Sequence, residues 1–247
     1  MNHITTVPRI LPRAELDDSL AELSDLFAMT SNIYAMSHPE MIRRVDGLFV
    51  LNGRDEQIRL KVGIEAWQEH TGCFRCLGIM RSLESVLLRN VTDSAALSAA
   101  LYPKIIQKRI GRTKGLLVSP MPFSNTKEEA RWAADVVKDR GLHSVACITS
   151  HEHGLRVMLT FIKQFALRDL ARIPILLVNM SLRTNANRIV SDGENGNPAS
   201  RGWDYYSGEA KRFKEWTGKG DLATFEEFRD YYDWLFDQPI TRGISCI

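Results

Sequence analysis

The chain has 247 residues, of which 44% are hydrophobic and 25% are charged, as expected for one globular α/β domain with or without an appendage. Its 32 basic and 30 acidic side chains are interspersed and give a formal net charge of +2, which excludes a strongly basic nucleic-acid-binding surface. No apolar run reaches the roughly 18 to 20 residues of a membrane span, and the first residues lack the apolar centre of a secretion signal, so we expect a cytoplasmic protein without a membrane partner.

Two strands and several helices are predicted in the first half of the chain. Leucine and phenylalanine side chains at helical spacing predict an N-terminal helix over about residues 14–29. An apolar strand, GLFVLNG, then ends at Asn52 and Gly53 and leads into an amphipathic helix. A second apolar run, FRCLGIM, is followed by helical patterns over residues 82–90 and 94–110.

The pair Cys73 and Cys76 has the CxxC spacing of half a zinc ribbon. No second CxxC and no paired histidine follow it, so we predict no metal site. The pair lies at the start of an apolar run rather than at a helix N-terminus, which predicts ordinary buried thiols instead of a redox pair.

Three more strands are predicted, and they are KGLLVSP, HSVACITS and IPILLVNM. Amphipathic helices follow the first two of them. Apolar runs of five to eight residues that alternate with such helices predict a parallel sheet that is covered on both faces. We expect residues 1–190 to form this α/β domain.

The composition changes after about residue 190. The stretch SDGENGNPASRG predicts a loop, which is either a plain surface connection or an active-site lid. A helical tail follows, in which Thr224 and Glu227 are predicted to form a capping box. We expect residues 191–247 to be a loop and a helical extension packed on the same domain. The aromatic residues of the extension fit core packing, a lid or an oligomer interface, so a homo-oligomer stays an open alternative.

Polar side chains follow three predicted strands, at the edge where open parallel sheets bind their ligands. At the first junction Gly53 allows close approach of the backbone, and Arg59 lies in the following helix. At the third, we expect Ser150 to cap a helix that carries His153 and Arg156 on one face. An imidazole beside a guanidinium at a helix N-terminus suits a phosphate or another anion. The same surroundings are expected to lower the pKa of His153 and keep the ring neutral.

The second junction carries the stretch FSNTKEE. Thr126, with Glu129 three residues later, predicts a capping box. This interpretation leaves Asn125 and Glu128 without a required structural role, although an acidic residue in a first helical turn is also favoured by the helix dipole. We interpret Ser124, Asn125, Thr126 and Glu128 as one wall of a ligand site.

The three junctions lie in three longer blocks, GLFVLNGRDEQIRLKVGIEAW, SNTKEEARWAADVVKDRG and TSHEHGLR. In this order the blocks resemble the YdcF-like (ElyC/SanA/YdcF) family, a widespread bacterial domain of unknown function. The resemblance implies a Rossmann-like three-layer α/β/α sandwich and a nucleotide-like or phosphorylated ligand, with S-adenosylmethionine as a suspected cofactor. The chain departs from the family in its lone Gly53, preceded by Asn52, and in LGIMRS, which replaces a Ser-Gly-Gly-like turn. Both departures would alter which ligand fits.

These observations favour a cytoplasmic enzyme that acts on a small phosphorylated or nucleotide-like molecule by hydrolysis or group transfer. The candidate catalytic residues, as acid or base, are Glu128 and His153. The candidate ligand-binding residues are Asn52, Gly53, Arg59, Ser124, Asn125, Thr126, Ser150 and Arg156. Two alternatives stay open: a transferase that uses S-adenosylmethionine, and a non-catalytic metabolite-binding or scaffold protein.

Overall fold

The computed structural model describes residues 18–37, 39–51, 56–70, 72–80, 114–150, 153–179, 189–190, 200–201, 213 and 215–241. The predicted turn at Asn52 and Gly53, the helical patterns over residues 82–110 and most of the loop predicted after residue 190 lie outside these ranges. Among the described helices, none combines the length and the apolar composition that a membrane crossing requires.

Five strands form a single sheet in which every pair of neighbours is parallel. They are β1 (Gly47–Val50), β2 (Cys76–Ile79), β3 (Leu116–Val118), β4 (Val145–Thr149) and β5 (Ile175–Asn179). Their spatial order is β3-β2-β1-β4-β5, so the direction in which the sheet grows reverses between β1 and β4. This arrangement confirms the predicted Rossmann-like α/β fold with five parallel strands.

Besides a helical stretch at residues 215–218, five helices accompany the sheet in the described residues. They are α1 (Asp18–Met36), α2 (Pro39–Ile42), α3 (Glu56–Glu69), α4 (Thr126–Arg140) and α5 (Gly154–Ala166), and a sixth, α6 (Phe225–Phe236), follows in the C-terminal extension. The predicted N-terminal helix ended about two turns too early. Helix α1 accommodates Thr30 because its hydroxyl donates to the Leu26 carbonyl oxygen at 2.8 Å and is buried within the helix.

Helices cover the two faces of the sheet because side chains alternate along each strand. On one face α3 approaches so closely that a Cβ on Gly63 would lie 2.3 Å from Cγ2 of Val50. On the other face Trp132 of α4 meets Phe49 edge-on, with 6.1 Å between the ring centroids. Helix α5 lies beside α4, and Arg131 Nε donates to Gln164 Oε1 across their contact at 3.1 Å. The central strands β1 and β4 are therefore covered from both sides.

The C-terminal extension packs on the far edge of the sheet. Helix α6 begins with the capping box predicted for Thr224 and Glu227. From this helix the Tyr231 hydroxyl accepts a hydrogen bond from the Ile175 N–H at 2.7 Å and donates to the Ile173 carbonyl oxygen at 2.9 Å. These two bonds satisfy backbone groups at the start of β5, an edge strand that would otherwise expose them.

A short antiparallel pair joins the two ends of the loop predicted over residues 191–202. Strand β6 (Ile189–Val190) pairs with β7 (Ser200–Arg201). The last part of the predicted loop is therefore a strand, in which Ser200 pairs with Val190 and Arg201 pairs with Ile189. Residues 191–199 themselves lie outside the described ranges.

The cysteines of the described ranges are all free thiols. Cys76 and Cys147 are buried in the sheet as predicted, whereas the prediction was wrong for Cys73, which is exposed in the turn before β2. Burial raises the pKa of Cys76 to about 12, since an apolar environment disfavours the thiolate, while nearby Arg140 acts weakly in the opposite direction.

Candidate functional site

The reversal of strand order places the ends of β1 and β4 side by side, and this is where open α/β sheets hold their ligands. Arg59 of α3 lies one turn before Gly63 and so on the same face of the helix, above the ends of these strands. Its Nη2 donates to Ser150 Oγ at 2.9 Å, and its Nη1 contacts the Leu51 carbonyl oxygen at 3.4 Å. The guanidinium is only 2% exposed. Residues of the first and third predicted junctions therefore meet directly.

Tyr34 of α1 supports Ser150 from another side. Its hydroxyl donates to the Ser150 carbonyl oxygen at 3.1 Å. Its ring lies against the start of α5, where a Cβ on Gly154 would be 2.3 Å from Tyr34 Oη. Tyr34 was not among the predicted site residues, because the predicted helix ended before it. Continued helical spacing of buried residues through Ile33 and Tyr34 was the available signal.

Helix α5 does not begin as predicted. Ser150 was expected to cap it, but the cap position is occupied by His153, whose backbone is already helical and whose side chain makes no capping hydrogen bond. The His153 N–H instead donates to the Ser150 carbonyl oxygen at 3.1 Å. Since the Ser150 hydroxyl accepts from Arg59, it contributes to the candidate site and not to helix initiation.

His153 and Arg156 are in direct contact on the first turn of α5. Arg156 Nη2 lies 2.5 Å from His153 Nδ1. Arginine can only donate, so Nδ1 accepts and the proton of the neutral imidazole resides on Nε2. This pair matches the convergence that was expected from their spacing of three residues. Together, Arg59, Ser150, His153 and Arg156 form a continuous polar chain across the strand reversal.

The C-terminal extension also contributes to this edge, through residues 215–223, which we call the C-terminal bridge. The Arg156 guanidinium carbon lies 5.2 Å from the centroid of the Trp216 ring. The Asp221 N–H donates to the Trp216 carbonyl oxygen at 3.1 Å, and the Asp221 carboxylate pairs with Nζ of Lys127, in the first turn of α4, at 2.5 Å. The bridge thus connects the starts of α4 and α5. Core packing, a lid and an oligomer interface had all been considered for the aromatic residues of the extension, and Trp216 is partly buried and packs against the core.

The second junction forms a helix cap that differs from the prediction by one residue. Asn125, not Thr126, caps α4: its Oδ1 accepts from the Glu128 N–H at 3.0 Å. The Glu128 carboxylate in turn accepts from the Ser124 N–H at 2.8 Å and from the Ser124 hydroxyl at 3.0 Å. Thr126 is the first helical residue. The predicted capping pair was therefore wrong, and Asn125 and Glu128 do have a structural role.

Glu129, the partner of Thr126 in the predicted capping box, points into the protein. It is 5% exposed, and its charge adds to the effect of burial in raising the pKa of Cys147 on β4. Capping by Asn125 rotates Glu129 toward the sheet and leaves Glu128 at the more accessible position. The local sequence permits either register, since Asn and Thr both cap helices.

The structure brings the predicted site residues into two groups. Arg59, Ser150, His153 and Arg156 lie at the reversal between β1 and β4, whereas Ser124, Asn125, Thr126 and Glu128 lie after β3. Three strand spacings separate β3 from β4, which is about 14 Å. The C-terminal bridge spans this interval through Lys127, Asp221, Trp216 and Arg156. Asn52 and Gly53 lie outside the described residues.

Fold and site together define a doubly wound α/β protein with two buried arginines at its strand reversal. No model of a known protein family matches the chain, and no curated protein matches it. The resemblance to the YdcF-like family stays a prediction that depends on the three sequence blocks quoted above.

Proposed function

We propose that the protein is a cytoplasmic enzyme of the YdcF-like kind, which acts on a small phosphorylated or nucleotide-like molecule by hydrolysis or group transfer. One observation carries this proposal: Arg59 and Arg156 are linked through Ser150 and His153 at the strand reversal. The ligand's phosphate would bind between the two guanidinium groups.

The electrostatics of this region support an anionic ligand. Arg59 and Arg156 are 2% and 6% exposed, so each positive charge acts in surroundings of lower polarity than water. A guanidinium presents its N–H groups in a planar fork that fits phosphate oxygens. The N-terminus of α5 adds the partial positive charge of the helix dipole on the same side.

His153 is the side chain we propose to contact the leaving oxygen of the substrate. Because Nδ1 accepts from Arg156, the neutral ring carries its proton on Nε2, and this N–H can donate a hydrogen bond to the leaving oxygen, which takes its proton from solvent. Water or a second substrate would then take the transferred group. Glu128 remains a candidate base, although its carboxylate accepts two hydrogen bonds from Ser124. A role of Glu128 in proton transfer would require these bonds to open.

Calorimetric titration with ADP, inorganic pyrophosphate and S-adenosylmethionine tests the proposal. We expect the phosphorylated compounds to bind, and we expect R59K and R156K to weaken binding about tenfold or more, because lysine keeps the charge but loses the planar fork. The matched control is R131K, since Arg131 lies between α4 and α5 and contacts Gln164. The melting temperatures of R131K, R59K and R156K show whether each variant is folded under the conditions of the titration.

Three results would contradict the proposal. Binding of ADP and pyrophosphate that R59K and R156K leave unchanged would place the anion elsewhere. Binding of S-adenosylmethionine alone would favour the transferase alternative. Tight binding of a phosphorylated metabolite without turnover in any assay, and without an effect of H153Q on its affinity, would favour a non-catalytic binding protein.

A further inference from the structure

We infer that Trp216 is a positioning residue, which holds the Arg156 guanidinium in the orientation that binds the anion. The inference rests on the proposed function, because the proposed function assigns Arg156 to ligand binding. It extends the site to the C-terminal extension, in which no ligand-binding residue was predicted.

Trp216 and hydrogen-bonding partners contact different parts of the Arg156 guanidinium. The guanidinium carbon lies 5.2 Å from the centroid of the Trp216 ring, a distance within the range of a cation–π contact. Such a contact uses the face of the planar guanidinium, whereas hydrogen bonds use its edge. One edge nitrogen, Nη2, is engaged by His153. Stacking on Trp216 and binding of an anion therefore do not compete.

The indole ring is itself held in place. Asp221 joins the bridge to α4 through Lys127, with 2.5 Å between Oδ1 and Nζ. On the other side, the Ala223 N–H donates to the Leu159 carbonyl oxygen in α5 at 3.0 Å. Leu222, between these two anchors, is only 2% exposed. The backbone that carries Trp216 is thus anchored to the first turn of α4 and to Leu159 of α5.

A fixed aromatic partner changes what anion binding requires of Arg156. A long side chain that samples many rotamers loses conformational entropy when a ligand orders it, and a side chain that is already ordered loses less. The Trp216 ring should therefore raise affinity without touching the ligand. Its removal should lower affinity only as long as Arg156 is present.

The experiment compares the dissociation constant of inorganic pyrophosphate for the full chain and for variants at position 216. We expect W216L to weaken binding roughly 3- to 30-fold, the range of a cation–π contact converted to an equilibrium constant, and W216F to recover part of the loss. The matched control is W234L. Trp234 lies in α6, and the centroid of its ring is 5.4 Å from the guanidinium carbon of Arg172, near the other end of the sheet. W234L should therefore leave pyrophosphate affinity unaltered.

A double-mutant cycle separates positioning from a general loss of structure. In an R156M background, W216L should have no further effect on affinity, since its target is gone. If W216L melts near the assay temperature, W216M and W216F are compared instead, because methionine fills similar space without a ring.

The outcomes distinguish this inference from the function on which it rests. Weaker binding by R156M together with unchanged binding by W216L and W216M overturns the positioning role alone. The positioning role is also overturned if W216L weakens pyrophosphate binding as much in the R156M background as it does in the unmodified chain. Absence of pyrophosphate and ADP binding by the unmodified chain overturns the proposed function, and the positioning role with it.

Discussion

Arg59 and Ser150 are 91 positions apart in the chain, and Arg59 Nη2 donates a 2.9 Å hydrogen bond to Ser150 Oγ. The bond joins the helix after β1 to the turn after β4, across the reversal of strand order. Both side chains are buried, so the bond forms where a charged donor depends on its protein partners. Its removal should therefore affect both stability and the candidate site.

We expect S150A to lower the free energy of unfolding by about 1–3 kcal/mol, because a buried guanidinium loses an acceptor. Affinity for pyrophosphate should fall as well. The matched control is S119A, since the buried Ser119 hydroxyl donates to the Met121 carbonyl oxygen at 3.0 Å, away from the arginines. Urea unfolding and calorimetry measure the two quantities. Equal effects of both variants on affinity would show that the Arg59–Ser150 bond is not specific to the site.

Gly154 should not tolerate a side chain. In G154A the new Cβ would lie 2.3 Å from Tyr34 Oη and Cε2, so α1 and α5 would have to separate. We expect a loss of about 1–3 kcal/mol in the free energy of unfolding, as for other overpacked positions. The control is G218A in the C-terminal bridge, where a Cβ would meet nothing within 4 Å. A G154A protein as stable as the unmodified chain would contradict the close contact between Tyr34 and α5.

The register of the α4 cap can be read from two alanine variants. N125A removes the side chain that accepts from the Glu128 N–H, so we expect it to cost about 1 kcal/mol in unfolding free energy. T126A changes the first helical residue and should cost less than about 0.5 kcal/mol. Denaturant unfolding of both proteins decides between the registers. A larger loss from T126A would restore the capping box first expected at Thr126 and Glu129.

The buried thiol of Cys76 should make stability depend on alkaline pH. Burial raises its pKa from 9.0 to about 12, so between these values the unfolded chain releases a proton that the folded chain retains. The unfolded state then binds fewer protons, and stability falls as pH rises from 9 to 12. At pH 10 this group should contribute a loss of about 1.4 kcal/mol relative to pH 8.

Unfolding in urea under reducing conditions at pH 8 and pH 10 measures this loss. Between pH 8 and pH 10 the free energy of unfolding of C76A should fall by about 1.4 kcal/mol less than that of the unmodified chain. Other groups that titrate in this range contribute equally to both proteins. C73A is the control, since Cys73 is exposed and should leave the pH dependence unchanged. Identical pH dependence in all three proteins would mean that the Cys76 thiol titrates normally in the folded state.

The strands were predictable because each one is a short apolar run. Parallel strands covered on both faces need apolar side chains at successive positions, and this pattern is visible in any short stretch of sequence. The capping box of Thr224 and Glu227 was predictable for a similar reason, since all of its groups lie within four residues.

Helix starts and ends were harder to predict, because neighbouring residues can perform the same task. Asn125 and Thr126 both suit a cap, and burial of Glu129 against the sheet selects Asn125. Helix α1 continues beyond its predicted end because the Thr30 hydroxyl bonds within the helix and Tyr34, in the following turn, is buried. Such choices depend on contacts with other elements, which local sequence does not contain.

Local sequence thus determined the positions of the five strands and most of the polar residues that follow them, since strand burial and capping act over a few residues. The tertiary structure alone decided which of these residues meet. The strand order β3-β2-β1-β4-β5 brings Arg59 to Ser150 and keeps Glu128 about three strands away. It also brings Trp216, from the other end of the chain, onto Arg156. These contacts arise from folding across more than fifty residues, and no spacing within one segment encodes them.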